Sequence, residues 1–219
     1  MIKNIFGALL LFSFTAVRIV NAQQENLLLQ RVIPVACHER NLSFIDAYTK
    51  GTFQKDCFKH GYGVIIKTGI AVTVYHVKSF PKGEIISANG GEANIIAACA
   101  TDDLLLLKIK SEKFDDIPLE LNPAIGKSIM TFSSTGKWSR QMTGKIAKID
   151  NNKGTINLSE LPIQYGDSGK PVYTASGKLV GVICRFPSQK DMEIGHSAVL
   201  VSVKRIAELM EMGNRISSK

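Results

Sequence analysis

The feature that most constrains the fold is a succession of short apolar runs that turn residues interrupt. In residues 62–77, YGVIIKTGIAVTVYHV, two such runs flank the segment Lys67-Thr68-Gly69, which predicts two strands joined by a tight turn. The series continues with EIISA, ANIIAACA and DLLLLKIK, and a second series comprises SIMTFSS, GKIAKIDNN, TINLSE, KPVYTA, KLVGVICRF and HSAVLVSV. Many short strands at this spacing predict an all-β fold, either barrels or a sandwich.

The chain divides most naturally in PLELNPAIGKS, residues 118–128, which contains two prolines and a glycine. We place the joint at Asn122-Pro123, so the predicted halves are residues 23–122 and 123–219. Only the end of the chain shows a helical period, in SVKRIAELMEMG, where Ser202 is the predicted cap and Gly213 the predicted stop. The apolar positions that carry this period are Val203, Ile206, Leu209 and Met210.

Residues 1–22 have the pattern of a signal peptide. Lys3 supplies a positive n-region, IFGALLLFSFTAV forms an apolar h-region too short to span a bilayer comfortably, and VNA provides small residues before cleavage at Ala22. Arg18 interrupts the apolar run and argues against a retained membrane helix, although an uncleaved anchor is the alternative. We therefore expect an exported protein, secreted or periplasmic, with no membrane contact after signal cleavage.

Composition excludes some classes of partner. The 219 residues carry a formal net charge of +8, and removal of the signal takes away two positive charges and no acid, which leaves +6. The basic residues are scattered, with no long Lys/Arg run, so the charge favours solubility and mild attraction to anionic surfaces. Nucleic-acid binding is not indicated.

Four cysteines remain after processing, and export permits disulfides between them. Cys37 and Cys57 are close enough in sequence to staple the N-terminal region, whereas Cys99 and Cys184 lie in apolar strand-like segments as buried thiols or a second bridge. The sequence leaves all three connectivities open. Cys37-His38 with CFKH, which contains Cys57 and His60, also supplies zinc-ligand types, but the spacing matches no common finger, and we expect no metal or other cofactor.

The stretch QYGDSGKPV, residues 164–172, places one hydroxyl between an acid and a glycine. A serine such as Ser168 is a poor nucleophile unless a base lies beside it, and that base needs an orienting partner. His76 ends the apolar strand GIAVTVYHV, and Asp103 opens DLLLLKI, where an unpaired carboxylate would be costly. Asp102 competes with Asp103, but adjacent strand residues point to opposite faces, so only one of the two can meet His76.

The order His, Asp, Ser along the chain is that of chymotrypsin and not of α/β-hydrolases. Lys170 stands where the nucleophile elbow G-x-S-x-G has its second glycine, which argues against lipases and esterases. Together the segments VTVYHV, DDLLLLKI and GDSGKPV resemble the trypsin-like (chymotrypsin-fold) serine proteases, and GKLVGVICRF resembles their substrate-binding strand. HGYGVII and IGHSAVLVSVKRIAEL are most similar to compact bacterial and viral members, including the HtrA-type protease domain without PDZ. The resemblance covers residues 58–210.

The resemblance implies two six-stranded antiparallel β-barrels and a C-terminal α-helix, with His76 and Asp103 in the first barrel and Ser168 in the second. It implies that these three residues form a catalytic triad acting on a protein or peptide substrate. The backbone N–H groups of Gly166 and Ser168 would form the oxyanion hole. Asp167 would orient the loop without joining the triad.

The resemblance also has departures that bear on specificity. Lys170 replaces a usual glycine, and no acid stands near Pro162, where the base of the primary pocket is usually set, so a preference for Arg or Lys is not supported. Phe186 replaces a glycine and would narrow the pocket, which favours small or neutral side chains at the substrate position before the cleaved bond. The residues expected to border the substrate are Pro162, Cys184, Arg185, Phe186 and His196.

Two questions stay open at this point. Cleavage after Arg31 would release a new amine for pairing with Asp167, although PVACHER lacks the usual glycine pair and compact bacterial members often need no such step. The main alternative to an exported serine endopeptidase is a protease-fold binding protein with no turnover, and a zinc-stabilised structural module is a weaker one. The oligomeric state is left open.

Overall fold

A computed structural model of the chain describes residues 23–39, 59–78, 84–133 and 140–217. The predicted signal segment, residues 1–22, lies outside this range. The chain forms two units, residues 1–31 and 32–219. In the first unit, residues 23–30 form a helix, α1, that the sequence analysis did not predict. No helix in the described ranges is long and apolar enough to cross a bilayer.

The second unit contains two closed, six-stranded antiparallel barrels, which confirms the predicted fold class. The first barrel has the strand order β1-β2-β3-β6-β5-β4. A single 3-10 turn, Tyr75–Val77, follows β3. The strands are β1 (Val32–Glu39), β2 (Lys59–Lys67), β3 (Ile70–Thr73), β4 (Glu84–Ala88), β5 (Gly91–Cys99) and β6 (Leu104–Lys108).

The second barrel has the order β10-β11-β12-β9-β8-β7 around a core of Ile, Leu and Val side chains, among them Ile129, Ile156 and Leu200. A short helix, α2 (Gln189–Glu193), precedes β12. The strands are β7 (Ser128–Ser133), β8 (Arg140–Asp150), β9 (Thr155–Ser159), β10 (Pro171–Thr174), β11 (Leu179–Arg185) and β12 (His196–Ser202).

The connection between the barrels runs along both of them. Ile117 N–H donates to Ile66 O of β2 at 2.8 Å, and Leu179 N–H of β11 donates to Pro118 O at 2.8 Å. These bonds fix the entry into the second barrel, because the connection is paired to a strand of each barrel before β7 begins. The predicted joint at Asn122-Pro123 lies within this connection, between β6 and β7.

Strand β1 was not among the strands predicted from the sequence. Its sequence, VIPVACHE, contains Pro34, and proline cannot donate to a strand ladder and is usually found at edges. In the structure Pro34 lies opposite Tyr62 of β2, before the pairing of β1 with β4 begins at Val35. A missing N–H is tolerated there.

The terminal helix, α3 (Val203–Ser217), begins directly after Ser202 but does not stop at Gly213 as predicted. Gly213 is buried inside the helix, where an added Cβ would lie 2.9 Å from Leu106 Cδ2 and 3.1 Å from Ile96 Cγ2. This glycine therefore permits close packing of the helix against the first barrel, a use that a sequence pattern does not distinguish from a C-terminal cap.

Candidate active site

His76 and Asp103 meet at one end of the first barrel. His76 lies in the 3-10 turn after β3, and Asp103 lies directly before β6. The imidazole Nδ1 is 2.7 Å from Asp103 Oδ2, and the His76 backbone N–H donates to Oδ1 at 2.9 Å. Asp103 has a φ of +56°, a left-handed conformation that aspartate adopts more readily than most residues. Both carboxylate oxygens are therefore engaged by His76.

Asp102 is directed to other partners. Its Oδ2 accepts from Cys99 Sγ at 3.2 Å, and its Oδ1 lies 3.8 Å from Arg205 Nε of α3. The two neighbouring aspartates thus have different environments, and the structure brings Asp103, the residue that the family resemblance implies, to the imidazole.

Ser168 completes a chain of hydrogen bonds from the second barrel, its Oγ 2.9 Å from His76 Nε2. With a proton on Nδ1 donated to Asp103, Nε2 is free to accept from the hydroxyl. The three side chains expected to converge from separate motifs therefore lie in one continuous hydrogen-bonded arrangement.

The loop that carries Ser168 lies unusually close to β2. Tyr62 N–H donates to Ser168 O at 2.7 Å, and a Cβ added to Gly169, which has a φ of +85°, would lie only 1.7 Å from Tyr62 O. Only glycine fits at position 169, so the close approach of the two backbones requires the last residue of GDSG. Within the described ranges, neither the Gly166 nor the Ser168 N–H donates to a protein acceptor, which leaves both available to a bound group.

His60 of β2 borders the same loop. Its Nε2 would lie 3.3 Å from a Cβ added to Gly166, which has a φ of +93°. Burial lowers the pKa of the His60 imidazole below its ordinary value, because desolvation disfavours the charged form. The neutral ring is therefore the favoured neighbour of this loop.

A cleft of about 580 Å³ surrounds the His–Asp–Ser arrangement. Of the residues predicted to border substrate, Cys184, Arg185 and Phe186 line it, whereas Pro162 and His196 are not among its lining residues. His196 instead has its Nδ1 3.1 Å from Asn157 Nδ2 and 3.5 Å from Asp191 Oδ1. The other lining residues are Tyr75, His76, Ala100, Thr101, Asp103, Ile163, Gln164, Tyr165, Gly166, Ser168 and Ile183.

Two aromatic rings contact each other at a tilted angle in this cleft. Tyr165, 95% exposed, lies with its ring centroid 5.0 Å from that of Phe186 at an interplanar angle of 57°. Phe186 was among the predicted substrate-binding residues, whereas Tyr165 was not, although Tyr165 stands three residues before Ser168. The contact between the two rings joins the loop that carries Ser168 to the residue that follows β11.

The described residues contain no disulfide, and the bridge considered between Cys99 and Cys184 is not formed. Cys184 Sγ instead donates to Val199 O at 3.3 Å, and burial raises the pKa of its thiol to about 12. A thiol inside β11 is thus a small apolar core group. Cys57 lies outside the described residues, so its pairing with Cys37 and the zinc alternative stay predictions.

No protein-family model matches the sequence. The uncharacterized protein y4bJ of Sinorhizobium fredii (strain NGR234) is 28% identical over 130 residues, which are 54% of this chain and 20% of that protein. The chain thus corresponds to only a fifth of that relative's length.

Two solved structures share the architecture. The serine endoprotease from Yersinia pestis has a TM-score of 0.65 and 20% identity, and the match covers 89% of this chain and 66% of that chain. An inactive form of Rv3671c from M. tuberculosis H37Rv, mutated from serine to alanine at one position, has a TM-score of 0.59 and 14% identity over 85% of this chain and 87% of that chain. The protein therefore has the chymotrypsin-like fold of a serine protease.

Proposed function

We propose that this protein is an exported serine endopeptidase that cleaves peptide bonds through an acyl-enzyme. The observation that carries the proposal is the continuous contact from Asp103 through His76 to Ser168, with heavy-atom distances of 2.7 and 2.9 Å. A fold alone does not specify chemistry, but a hydroxyl, a base and an orienting carboxylate in this geometry suit nucleophilic catalysis.

In the proposed reaction, Ser168 Oγ attacks the scissile carbonyl carbon while His76 Nε2 takes its proton. The imidazolium formed is stabilised by Asp103 and then protonates the leaving amine, which gives an ester on Ser168. A water molecule, deprotonated by His76, hydrolyses this ester and restores the hydroxyl. The N–H groups of Gly166 and Ser168 are the proposed donors to the oxyanion.

The cleft supports a preference for small or neutral side chains before the cleaved bond. The Tyr165 and Phe186 rings contact each other and both line it, and we propose that they limit the space for a substrate side chain. The exposed Arg185 would repel a substrate Lys or Arg. Among the described residues that line the cleft, Asp103 is the only acid, and His76 already engages it. We propose cleavage of extracytoplasmic peptides or proteins, because residues 1–22 have the pattern of an export signal.

A fluorophosphonate probe and a peptide library test this function together. We expect the wild type to be labelled and to cleave after small or neutral residues, and Ser168→Ala to lose labelling and about 10⁶-fold in kcat. Ser176→Ala is a matched control, because Ser176 is exposed in a turn of the same barrel and contacts Thr174. A wild type that is not labelled and cleaves no peptide would instead support the binding protein, and strong cleavage after Arg or Lys would overturn the specificity.

A further inference from the structure

The loop that carries Ser168 contains a buried ion pair. The Lys170 side chain is 2% exposed, and its Nζ lies 2.5 Å from Asp167 Oδ1, whose side chain is 11% exposed. An ammonium group is costly to bury unless it is paired, and lysine is seldom fully buried. In sequence, Lys170 is only a departure from a usual glycine. Its burial in the structure indicates that the ammonium group has a specific role in this loop.

Asp167 connects both ends of this loop. Its Oδ2 accepts from the Gln164 N–H at 2.8 Å, and its own N–H donates to Gln164 O at 3.1 Å. On the other side, the Lys170 N–H donates to Asp167 O at 3.1 Å. Gly166 and Ser168 flank Asp167, so the orientation of this carboxylate and the direction of their N–H groups are set together.

Lys170 also contacts the first barrel. Its Nζ lies 4.8 Å from the centroid of the Tyr62 ring, a cation–π distance, and the Tyr62 N–H donates to Ser168 O. One ammonium group therefore contacts the carboxylate inside the nucleophile loop and the strand against which that loop packs.

We propose that Lys170 is a positioning residue whose ammonium group fixes Asp167 and thereby holds the Gly166 and Ser168 N–H groups ready for an oxyanion. The inference rests on the proposed protease function. Its consequence is regulatory: Asp167 already has a cation from within the chain, so the loop is set without an amine released by cleavage after Arg31.

The test uses the full chain and compares kcat with KM on one peptide substrate. We expect Lys170→Met to lower kcat about 10²-fold, the effect of a misdirected oxyanion donor, with KM within about threefold. Because Lys170→Met leaves a buried carboxylate that threatens folding, Lys170→Met/Asp167→Asn is the second variant. It removes both charges, and we expect it to unfold cooperatively like the wild type while its kcat stays at least about tenfold low.

Lys145→Met is the matched control, since Lys145 forms an exposed ion pair with Glu160 at 2.8 Å in the same barrel and is expected to keep wild-type kcat. Arg31→Gln is expected to remain as active as the wild type. A folded double variant with wild-type kcat would overturn the positioning role, and an inactive Arg31→Gln protein beside a wild type cleaved at that bond would overturn the regulatory consequence. If the wild type is not labelled by fluorophosphonate, the protease function itself fails, which is a separate result.

Discussion

Each barrel contributes one paired aspartate to the candidate site, and the two pairs differ in their exposure to solvent. In the first barrel, Asp103 pairs with His76 at 2.7 Å, with side chains that are 30% and 46% exposed. In the second barrel, Asp167 pairs with Lys170 at 2.5 Å, with side chains that are 11% and 2% exposed. Both carboxylates also accept a backbone N–H, so they differ chiefly in access to water.

This difference in exposure indicates that the two pairs have different roles, one in the proposed reaction and one in the structure of the loop. An exposed pair contributes about 0–1 kcal/mol to stability, so we expect the His76–Asp103 contact to matter mainly for proton transfer by the imidazole in the proposed reaction. Breaking one side of a buried pair costs about 3–5 kcal/mol, so the Asp167–Lys170 contact acts on the shape of the loop. Changes in the first pair should therefore affect catalysis with little effect on the fold, and changes in the second should affect both.

Among the changes that compare the two aspartates, the largest expected effect comes from Asp103→Asn. We expect kcat to fall about 10⁴-fold, because the amide no longer holds the catalytic tautomer of His76, while the melting temperature stays within a few degrees of the wild type. Steady-state kinetics and thermal unfolding measure both. Asp102→Asn is the control and is expected to retain activity within a few-fold; equal losses in the two variants would contradict the distinct roles of these neighbours.

A smaller effect is expected from Gly169→Ala, which should lower the stability of the protein and, through it, kcat. The added Cβ would lie 1.7 Å from Tyr62 O, so the loop must withdraw from β2, and we expect a loss of more than about 3 kcal/mol in the free energy of unfolding together with reduced kcat. Gly126→Ala has a similar φ, +81°, in open space, and isolates the backbone cost of about 1–2 kcal/mol. Urea unfolding of both variants gives the comparison, and equal losses would mean that the contact between the barrels is unimportant.

The smallest effect concerns pH and His60 of β2, which borders Gly166 in the loop that carries Ser168. Its pKa is lowered in the folded protein, so the unfolded chain binds the proton more readily and stability falls as the pH drops below about 6.5. We expect His60→Gln to lose less stability than the wild type between pH 7 and pH 5. Urea unfolding at both pH values checks this, and identical losses in the two proteins would exclude His60 as a contributor.

The sequence predicted those parts of the molecule that local patterns encode. Short apolar runs predicted an all-β fold of barrels or a sandwich, and the family resemblance implied two barrels. Motifs at strand ends predicted that His76, Asp103 and Ser168 would converge. The ring contact between Tyr165 and Phe186 could not be predicted in the same way, because the two residues lie 21 positions apart and their contact depends on how β11 returns to the loop.

Burial was the other property that local patterns did not reveal. A lysine in a polar loop is normally exposed, and nothing in GDSGKPV indicates that the Lys170 ammonium lies inside the protein. Gly213 was misinterpreted for a related reason, since a glycine near the end of a helical period suggests a stop until the neighbouring strand is known.

Helix α3 follows the second barrel in the chain yet packs against the first, where Gly213 lies over Leu106 and where Arg205 pairs with Asp102 beside Asp103. A nascent chain that has completed only the first barrel consequently lacks helix α3, which covers this apolar surface, and Arg205, which pairs with Asp102. During biosynthesis, such an intermediate would expose this apolar, aggregation-prone surface until the ribosome has added residues more than a hundred positions later. Protection by chaperones is therefore most valuable at that stage.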